Sequence, residues 1–336
     1  MRAVVIRGPG EYAVETRPVP DIGPDELLLE PLAIGVCRTD VELLDGTMVY
    51  LRTGRSRLPL TPGHEWVARI AAVGAEVQGL AVGGRVVGEC SIGCGRCAVC
   101  ERGAYHQCPR RRETGVMGLD GAMAGSFAFP ARAAHAVPDR ITDEDAVFAE
   151  PTSVALRAVL RAGVQPGERV LVVGGGTIGW LTTALVLDMV DVAVRFAEPS
   201  AARAARLDAL GAARAASDER FDVVIEASGS PGGVAAGLDA LADGGRLVAV
   251  GLTGLDALPI DLDSVVVRDQ AVIGSLGSPG VWPQALDLLG RGRVRPSTIV
   301  TARHPLGDFA AAAAAVRGGD ERTGKVLVLP GPEDRA

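Results

Sequence analysis

From the first residue to about residue 137, apolar positions come in short runs alternating with polar ones, as over residues 2–6 and 26–32, and Gly and Pro cut the runs. Period-two alternation with such punctuation predicts short β-strands in a partly open, all-β domain. From Thr152 the pattern changes. A helical stretch leads to a continuous apolar run over 169–173, a glycine turn, a helix over 177–187 and a second apolar run over 192–197. A helix over 200–210, a strand over 222–226, a helix over 233–242 and strands over 246–250 and 271–274 follow. Apolar runs alternating with helices predict an α/β domain with a parallel sheet and helical crossovers. Beyond residue 274 the segments are short and mixed again, so the chain is expected to return to its first domain, with the alanines of 310–315 forming a helix face. The division expected is residues 1–150 with 275–336, and residues 151–274.

Composition narrows the function classes. A chain of 336 residues that is 48% hydrophobic can fill two cores. A net charge of −7 gives no basic field for a phosphate backbone, which argues against nucleic acid as a partner. Cations are arginine almost throughout; Lys325 is the one lysine, and this reads as a coding bias. The chain starts with no basic head and apolar run, and no uncharged apolar stretch of about 18 residues occurs, so a cytoplasmic protein is expected, with no membrane partner.

All six cysteines, Cys37, Cys90, Cys94, Cys97, Cys100 and Cys108, fall in the first third of the chain. Crowding of this kind points to metal ligands in a reducing compartment rather than a disulfide framework. Cys94, Cys97, Cys100 and Cys108 form a C-x2-C-x2-C-x7-C array, a spacing at which four thiolates can converge on one zinc within a compact loop. With every ligand a thiolate, that zinc would be structural. An iron–sulfur cluster is a second reading, since Pro109 follows the last cysteine, and four unligated thiols a third. Cys90 stands outside the array as a small core residue. A second ligand set is more dispersed: Cys37, His64, Glu65 and Glu150 supply a thiolate, an imidazole and carboxylates around an expected interdomain cleft, which suits a zinc with one open position.

The run 169–173 enters Gly174-x-Gly176-x-x-Gly179 and then a helix, with Glu198 ending the next strand. Strand, glycine turn and helix in this order are the context of a dinucleotide cradle, in which the pyrophosphate lies on the helix N-terminus. The Glu198 carboxylate can accept from both ribose hydroxyls and repels a 2′-phosphate, so NAD is favoured over NADP.

Taken in order, Gly35-Val36-Cys37-Arg38-Thr39-Asp40, Pro62-Gly63-His64-Glu65, the four-cysteine array, Glu150-Pro151, Gly174-Gly175-Gly176-Thr177-Ile178-Gly179 and Gly324-Lys325-Val326 resemble the medium-chain, zinc-dependent alcohol and polyol dehydrogenase family over nearly the whole chain. The resemblance implies a GroES-like, partly open β-barrel catalytic domain with a zinc lobe, plus a doubly wound Rossmann domain. It implies a catalytic zinc on Cys37 and His64, with Glu65 an exchangeable or nearby carboxylate, Glu150 a further ligand and Asp40 orienting the imidazole. Gly174, Gly176, Thr177, Ile178, Gly179, Glu198 and Arg203 would hold the dinucleotide, with Arg203 beside the adenine. Val250, Gly251 and Leu252 would lie along its nicotinamide. Zinc would lower the pKa of a substrate hydroxyl, Thr39 would take the proton, and hydride would pass to the nicotinamide. Glutamate at 150 in place of cysteine is similar to the polyol, sugar and threonine dehydrogenase branches, so the expected substrate is a small polyhydroxy molecule: a polyol, sugar, inositol or aminocyclitol. A homodimer or homotetramer built through the edge of the dinucleotide-binding sheet is also implied.

The chain departs from the family pattern at three places. Residues 211–221 leave room only for a short strand and a turn; Gly121-Ala122-Met123-Ala124-Gly125-Ser126 lacks the usual acidic and aromatic residues; and Val41-Glu42 stands where a relay histidine is common. Glu113, Thr114 and the loop 47–58, with Arg52, Arg55 and Arg57, are candidate pocket residues, and an acidic Glu113 would suit an amine. Two other function classes are weighed: a zinc-stapled redox sensor without turnover, and a zinc-free quinone or enone reductase. Neither needs Cys37, His64 and Glu150 together.

Overall fold

The computed structural model describes residues 1–254, 257–318 and 320–335, arranged as two compact units, Met1–Glu150 with Ser278–Ala336, and Pro151–Gly277. In the first unit a seven-stranded sheet runs Ala134–Ala136, Arg85–Gly88, Glu65–Val73, Glu26–Val36, Lys325–Leu329 and Val300–Pro305, with Phe127–Pro130 also pairing to Glu26–Val36. Along Glu26–Val36, burial alternates strictly at first and then becomes continuous from Ala33 to Val36 as the strand enters the core. The expected strand over 26–32 is therefore four residues longer and delivers Cys37 directly from the sheet. Trp66 packs edge-on against Phe127 and Phe129, with ring centres 5.0 and 4.9 Å apart, the preferred arrangement of aromatic quadrupoles. Gly88 leaves room for this cluster, since a Cβ there would overlap the Trp66 and Phe129 rings. A separate three-stranded sheet, Ser91–Ile92, Arg112–Thr114 and Gly118–Leu119, adjoins the cysteine array in sequence.

The second unit holds six parallel strands in the order Ala213–Arg214, Val194–Ala197, Val170–Val173, Phe221–Glu226, Leu241–Ala249 and Ala271–Gly274. In chain order this is 3-2-1-4-5-6, the doubly wound arrangement with its reversal beside the first strand, where ligands bind off the carboxyl ends. All of Val170–Val173 is buried, as a strand covered on both faces must be. The helix Thr177–Met189 is apolar on all sides and largely buried. The helix expected over 233–242 instead spans Pro231–Asp239: the Ser230 hydroxyl accepts from Gly233 N at 3.0 Å, Pro231 opens the first turn, and Leu241 and Ala242 already belong to the next strand. Between Gly211 and Phe221 there is only the two-residue strand Ala213–Arg214. Among the described residues no helix is long and apolar enough to cross a membrane.

Candidate metal centres and dinucleotide cradle

In the first unit the sheet places Cys37 at the end of its strand, as the residue from which the helix Arg38–Asp45 starts, while the hydrogen-bonded neighbour strand begins at Glu65. This juxtaposition gathers the Cys37 thiol, a His64 ring nitrogen and a Glu65 carboxylate oxygen within 4.8 Å of one another. Asp40 sits beneath them, completely buried. Its Oδ2 accepts from Cys37 N at 2.8 Å and its Oδ1 from Gly63 N at 3.1 Å, whereas Oδ1 stands 3.7 Å from His64 Nδ1. Asp40 thus orients the backbone that carries both ligands, and its reach to the imidazole is electrostatic rather than a hydrogen bond. Thr39 is half-buried on the same first helical turn. Glu42 is held by Arg38 at 3.2 Å, one turn before it.

Burial pushes the Asp40 carboxyl above the usual carboxylate range, against the pull of His64. Burial would lower the His64 pKa, but the charges of Asp40, Cys37 and Glu150 outweigh it and raise it well above an ordinary histidine. Glu150 lies outside the trio and is half-buried; its carboxyl is pushed up to about 7, first by desolvation and then by Glu65 and Glu113, against His64 and Lys325. These groups fit a divalent cation: thiol, imidazole and carboxylate converge, the anionic charge is dense, and a buried His64 Nδ1 has no hydrogen-bond partner among the described residues.

One cation already stands in this cluster. The ammonium of Lys325, the sole lysine of the chain, forms an ion pair with Glu65 Oε2, with both side chains 3% exposed. Burial lowers the lysine pKa, yet Glu65 and Cys37 raise it overall. Gly35 makes the approach possible, since a Cβ there would fall 2.7 Å from Lys325 Cε. The reading of this lysine as a coding bias missed its place at the site. Its occurrence where every other long-chain cation is arginine was the available signal.

The four cysteines of the array also converge. Cys94, Cys97, Cys100 and Cys108 lie within 4.8 Å of one another, and Cys97 Sγ is 3.6 Å from Cys100 Sγ and 3.8 Å from Cys108 Sγ. Four thiolates around zinc at about 2.3 Å are separated by about 3.8 Å, so the cage fits that ion. The Arg96 backbone N–H, helped by the Arg110 guanidinium at 3.2 Å, holds the Cys94 thiol down to about 6, the thiolate a metal requires. Cys90 packs against the core, and burial pushes its thiol well up.

The departure at 121–126 is accommodated by main-chain pairing: Gly121 N, Ala122 N and Met123 N donate to Thr61, Gly63 and Pro62 carbonyls at 2.8, 2.9 and 3.0 Å. Glu113 is buried and bound to Arg111, which also donates to the Tyr50 hydroxyl at 2.9 Å. It is therefore not a bare anion awaiting an amine. Arg55 lies over the Tyr50 ring, 5.1 Å from its centre, while Arg55 and Arg57 are exposed.

In the second unit each motif glycine has a separate reason. Gly174 has φ +96° and packs its Cα against Ser228, 2.8 Å from any added Cβ. Gly179 lies against the Gly174 carbonyl, whose carbon would be 2.8 Å from a Cβ, so helix and strand meet closely there. Gly176 alone faces open space at the start of the helix Thr177–Met189, where a pyrophosphate fits. A groove of about 510 Å³ runs from these glycines past Glu198, Arg203, Arg214 and Ser228. Glu198 is buried, and its oxygens accept from Gly175 N at 2.5 Å and Ser200 N at 2.8 Å, shaping the loop as well as facing the groove. Arg214, absent from the sequence reading, donates to the Glu198 carbonyl at 2.7 Å and stacks over Phe196. Val250 N donates to Glu226 O at 2.9 Å, tying the 250–252 segment to the carboxyl end of the neighbouring strand.

With these sites in place, comparison with known proteins is decisive. Residues 23–139 match the alcohol dehydrogenase GroES-like domain and residues 184–291 the zinc-binding dehydrogenase domain. An erythritol/L-threitol dehydrogenase of Mycolicibacterium smegmatis is 32% identical, over 98% of each chain. The chain belongs to the medium-chain, zinc-dependent alcohol and polyol dehydrogenases. A sorbitol dehydrogenase of Bacillus subtilis is 29% identical over 91% of this chain and 90% of the relative. A zinc-binding dehydrogenase from Sinorhizobium meliloti, solved bound to NADP, superposes with a TM-score of 0.90 at 28% identity, covering 98% and 99% of the two chains. The enzyme is thus an NAD(P)-dependent oxidoreductase with the GroES-like and Rossmann folds of its family.

Proposed function

We propose that this dehydrogenase interconverts a secondary alcohol and a ketone on a small polyhydroxy molecule, a polyol, sugar, inositol or aminocyclitol, with NAD as hydride partner. The observation that carries the reading is the convergence of Cys37, His64 and Glu65 within 4.8 Å, in a chain that also has the glycine cradle around Gly176. Zinc held by Cys37, His64 and an exchanging Glu65 or Glu150 supplies Lewis acidity that lowers the pKa of a substrate hydroxyl, and the nicotinamide supplies the hydride acceptor. Asp40 keeps both ligand backbones in place, and Thr39, on the first turn of the helix Arg38–Asp45, takes the hydroxyl proton. Gly174, Gly176, Thr177, Ile178 and Gly179, at the N-terminus of the helix Thr177–Met189, would hold the pyrophosphate, and Val250, Gly251 and Leu252 would hold the nicotinamide.

NAD is favoured because the Glu198 carboxylate at the groove repels a 2′-phosphate, although Arg203 and Arg214 also line it. The enzyme works in the cytoplasm. It assembles through the edge strand Ala271–Gly274 and the neighbouring helix Leu262–Val267, where Leu262, Val266 and Val267 are strongly exposed. The test is zinc per chain in protein purified without added metal, together with NAD- and NADP-linked oxidation of a panel of polyols, hexoses, inositols and aminocyclitols. Two zinc ions and turnover on one class support the reading. One chelation-resistant zinc and no hydride transfer replace it with a dinucleotide-binding sensor.

A further inference from the structure

The strand Phe221–Glu226 ends in a completely buried carboxylate. Its Oε1 accepts from Ser228 N at 2.8 Å, from Gly229 N at 3.1 Å and from the Ser228 hydroxyl. Ser228 Oγ accepts in turn from Ser230 N at 3.1 Å, so one carboxylate oxygen shapes the whole turn that enters the helix Pro231–Asp239. Glu226 Oε2 is buried as well and has no hydrogen-bond partner among the described residues. A buried carboxylate oxygen left without a donor is costly and uncommon, which points to a use for its charge.

The turn shaped by Glu226 forms part of the dinucleotide groove. Ala227, Ser228 and Gly233 line that groove, and Ser228 packs on Gly174, where an added Cβ would fall 2.8 Å from Ser228 N. On its other side the turn meets the segment 250–252. Gly229, at φ +61°, lies against the Leu252 carbonyl oxygen, 2.9 Å from any added Cβ. Gly251 approaches so closely that a Cβ on it would overlap the Gly229 nitrogen, and the same Cβ would stand 3.1 Å from Glu226 Oε2. The unpartnered oxygen therefore lies against Gly251, while the Glu226 carbonyl accepts from Val250 N at 2.9 Å.

Resting on the reading that Val250, Gly251 and Leu252 hold the nicotinamide, we infer that Glu226 sets the preference of the groove between the two redox forms of the dinucleotide, favouring the oxidised one. The oxidised ring is a pyridinium cation, and the reduced ring is neutral. A carboxylate held in a low-dielectric floor behind Gly251 attracts the first and leaves the second unaffected. Glu226 acts through the floor without touching a ligand, so it is a positioning residue, and its two oxygens have different roles. Oε1 shapes the turn, and Oε2 brings negative charge to the segment assigned to the ring.

The experiment titrates zinc-loaded protein with NAD+ and with NADH by calorimetry, at fixed pH and ionic strength, in wild type, Glu226→Gln, Glu226→Asp and Ser228→Ala. Glutamine keeps an oxygen for the donors of the turn and removes the charge. The ratio of the two dissociation constants should then move towards NADH by about tenfold, the effect of one unit charge at an effective dielectric of about 20. Aspartate keeps the charge and should keep the wild-type direction of preference. Ser228→Ala removes the hydroxyl that donates to Oε1 but leaves the carboxylate, so it should weaken both forms together, as a merely structural role would do in every variant. A wild-type ratio in Glu226→Gln, or a shift of the same size in Ser228→Ala, overturns the inference while leaving the dinucleotide cradle intact. If the glutamine variant does not fold, wild type is titrated with the dinucleotide in which benzamide replaces nicotinamide, a ring that is flat like the pyridinium but uncharged. That probe should bind about tenfold more weakly than NAD+, and equal affinity overturns the inference. Binding of neither NAD+ nor NADH to wild type overturns the cradle reading itself.

Discussion

Replacing Lys325 with methionine isolates the ammonium built into the Cys37–His64–Glu65 cluster. Its ion pair with Glu65 is 3% exposed on both sides, and methionine keeps an unbranched side chain, one atom shorter, while removing the charge. In zinc-stripped protein the substitution leaves the Glu65 carboxylate buried without compensation, a loss of about 3–5 kcal/mol where a folded domain has about 5–15 in all. At a urea slope of about 2 kcal/mol per molar, the unfolding midpoint of the first unit should fall by about 2 M. Trp66 and Trp282, both buried in that unit, report it by fluorescence. With zinc on Cys37 and His64 the divalent charge takes over the role of the ammonium, so the deficit should shrink. By linkage the variant should then bind zinc more tightly than wild type, by about tenfold for each 1.4 kcal/mol recovered. Lys325→Arg keeps the charge and serves as the control. An unchanged midpoint in stripped protein, or a zinc affinity that falls in Lys325→Met, refutes the reasoning.

Other outcomes follow from the same geometry. Gly176→Val fills the only motif position that faces open space, so it should keep the fold and thermal midpoint while NADH binding, read by fluorescence, weakens at least about a hundredfold. Cys100→Ser removes a ligand from the four-thiol cage; zinc content should drop by one ion and the first unit should become sensitive to proteolysis, with NADH binding unaffected. Glu150 is raised from 4.5 to about 7, so in stripped protein its contribution to stability is intact below about pH 4.5 and is lost as pH rises through about 7, by at most about 3 kcal/mol. Glu150→Gln should flatten that part of the urea-midpoint profile; an identical profile in wild type and variant counts against the raised carboxyl. Val267→Asp at the exposed edge of the second unit should lower the mass seen by light scattering if assembly uses that edge, and a wild-type mass would move the interface elsewhere.

The legible parts of the site were those whose partners lie close in sequence. The cysteine cage is written in its own spacing, and Gly174, Gly176, Gly179 and Glu198 belong to one strand–turn–helix–strand unit. Element ends were less legible, because they depend on caps and neighbours: Ser230 and Pro231 moved one helix forward, and sheet pairing extended Glu26–Val36 towards Cys37. The Arg111–Glu113 pair was not legible, because Arg111 precedes the strand Arg112–Thr114 and only the folded loop brings its guanidinium onto the acid.

The pattern of apolar periods, the cysteine spacing and the glycine motif determined by themselves that a β-rich segment would be followed by a parallel α/β sheet, with four cysteines gathered in one loop and a glycine turn between strand and helix. These are local properties, settled by backbone geometry and side-chain chemistry within a few turns of chain. Tertiary structure alone decided which charges meet. Lys325 reaches Glu65 only because Lys325–Leu329 pairs with Glu26–Val36, which in turn pairs with Glu65–Val73, and because Gly35 leaves the space between them. Burial then makes each such meeting count, because a charge removed from water must be matched by whatever the fold places beside it.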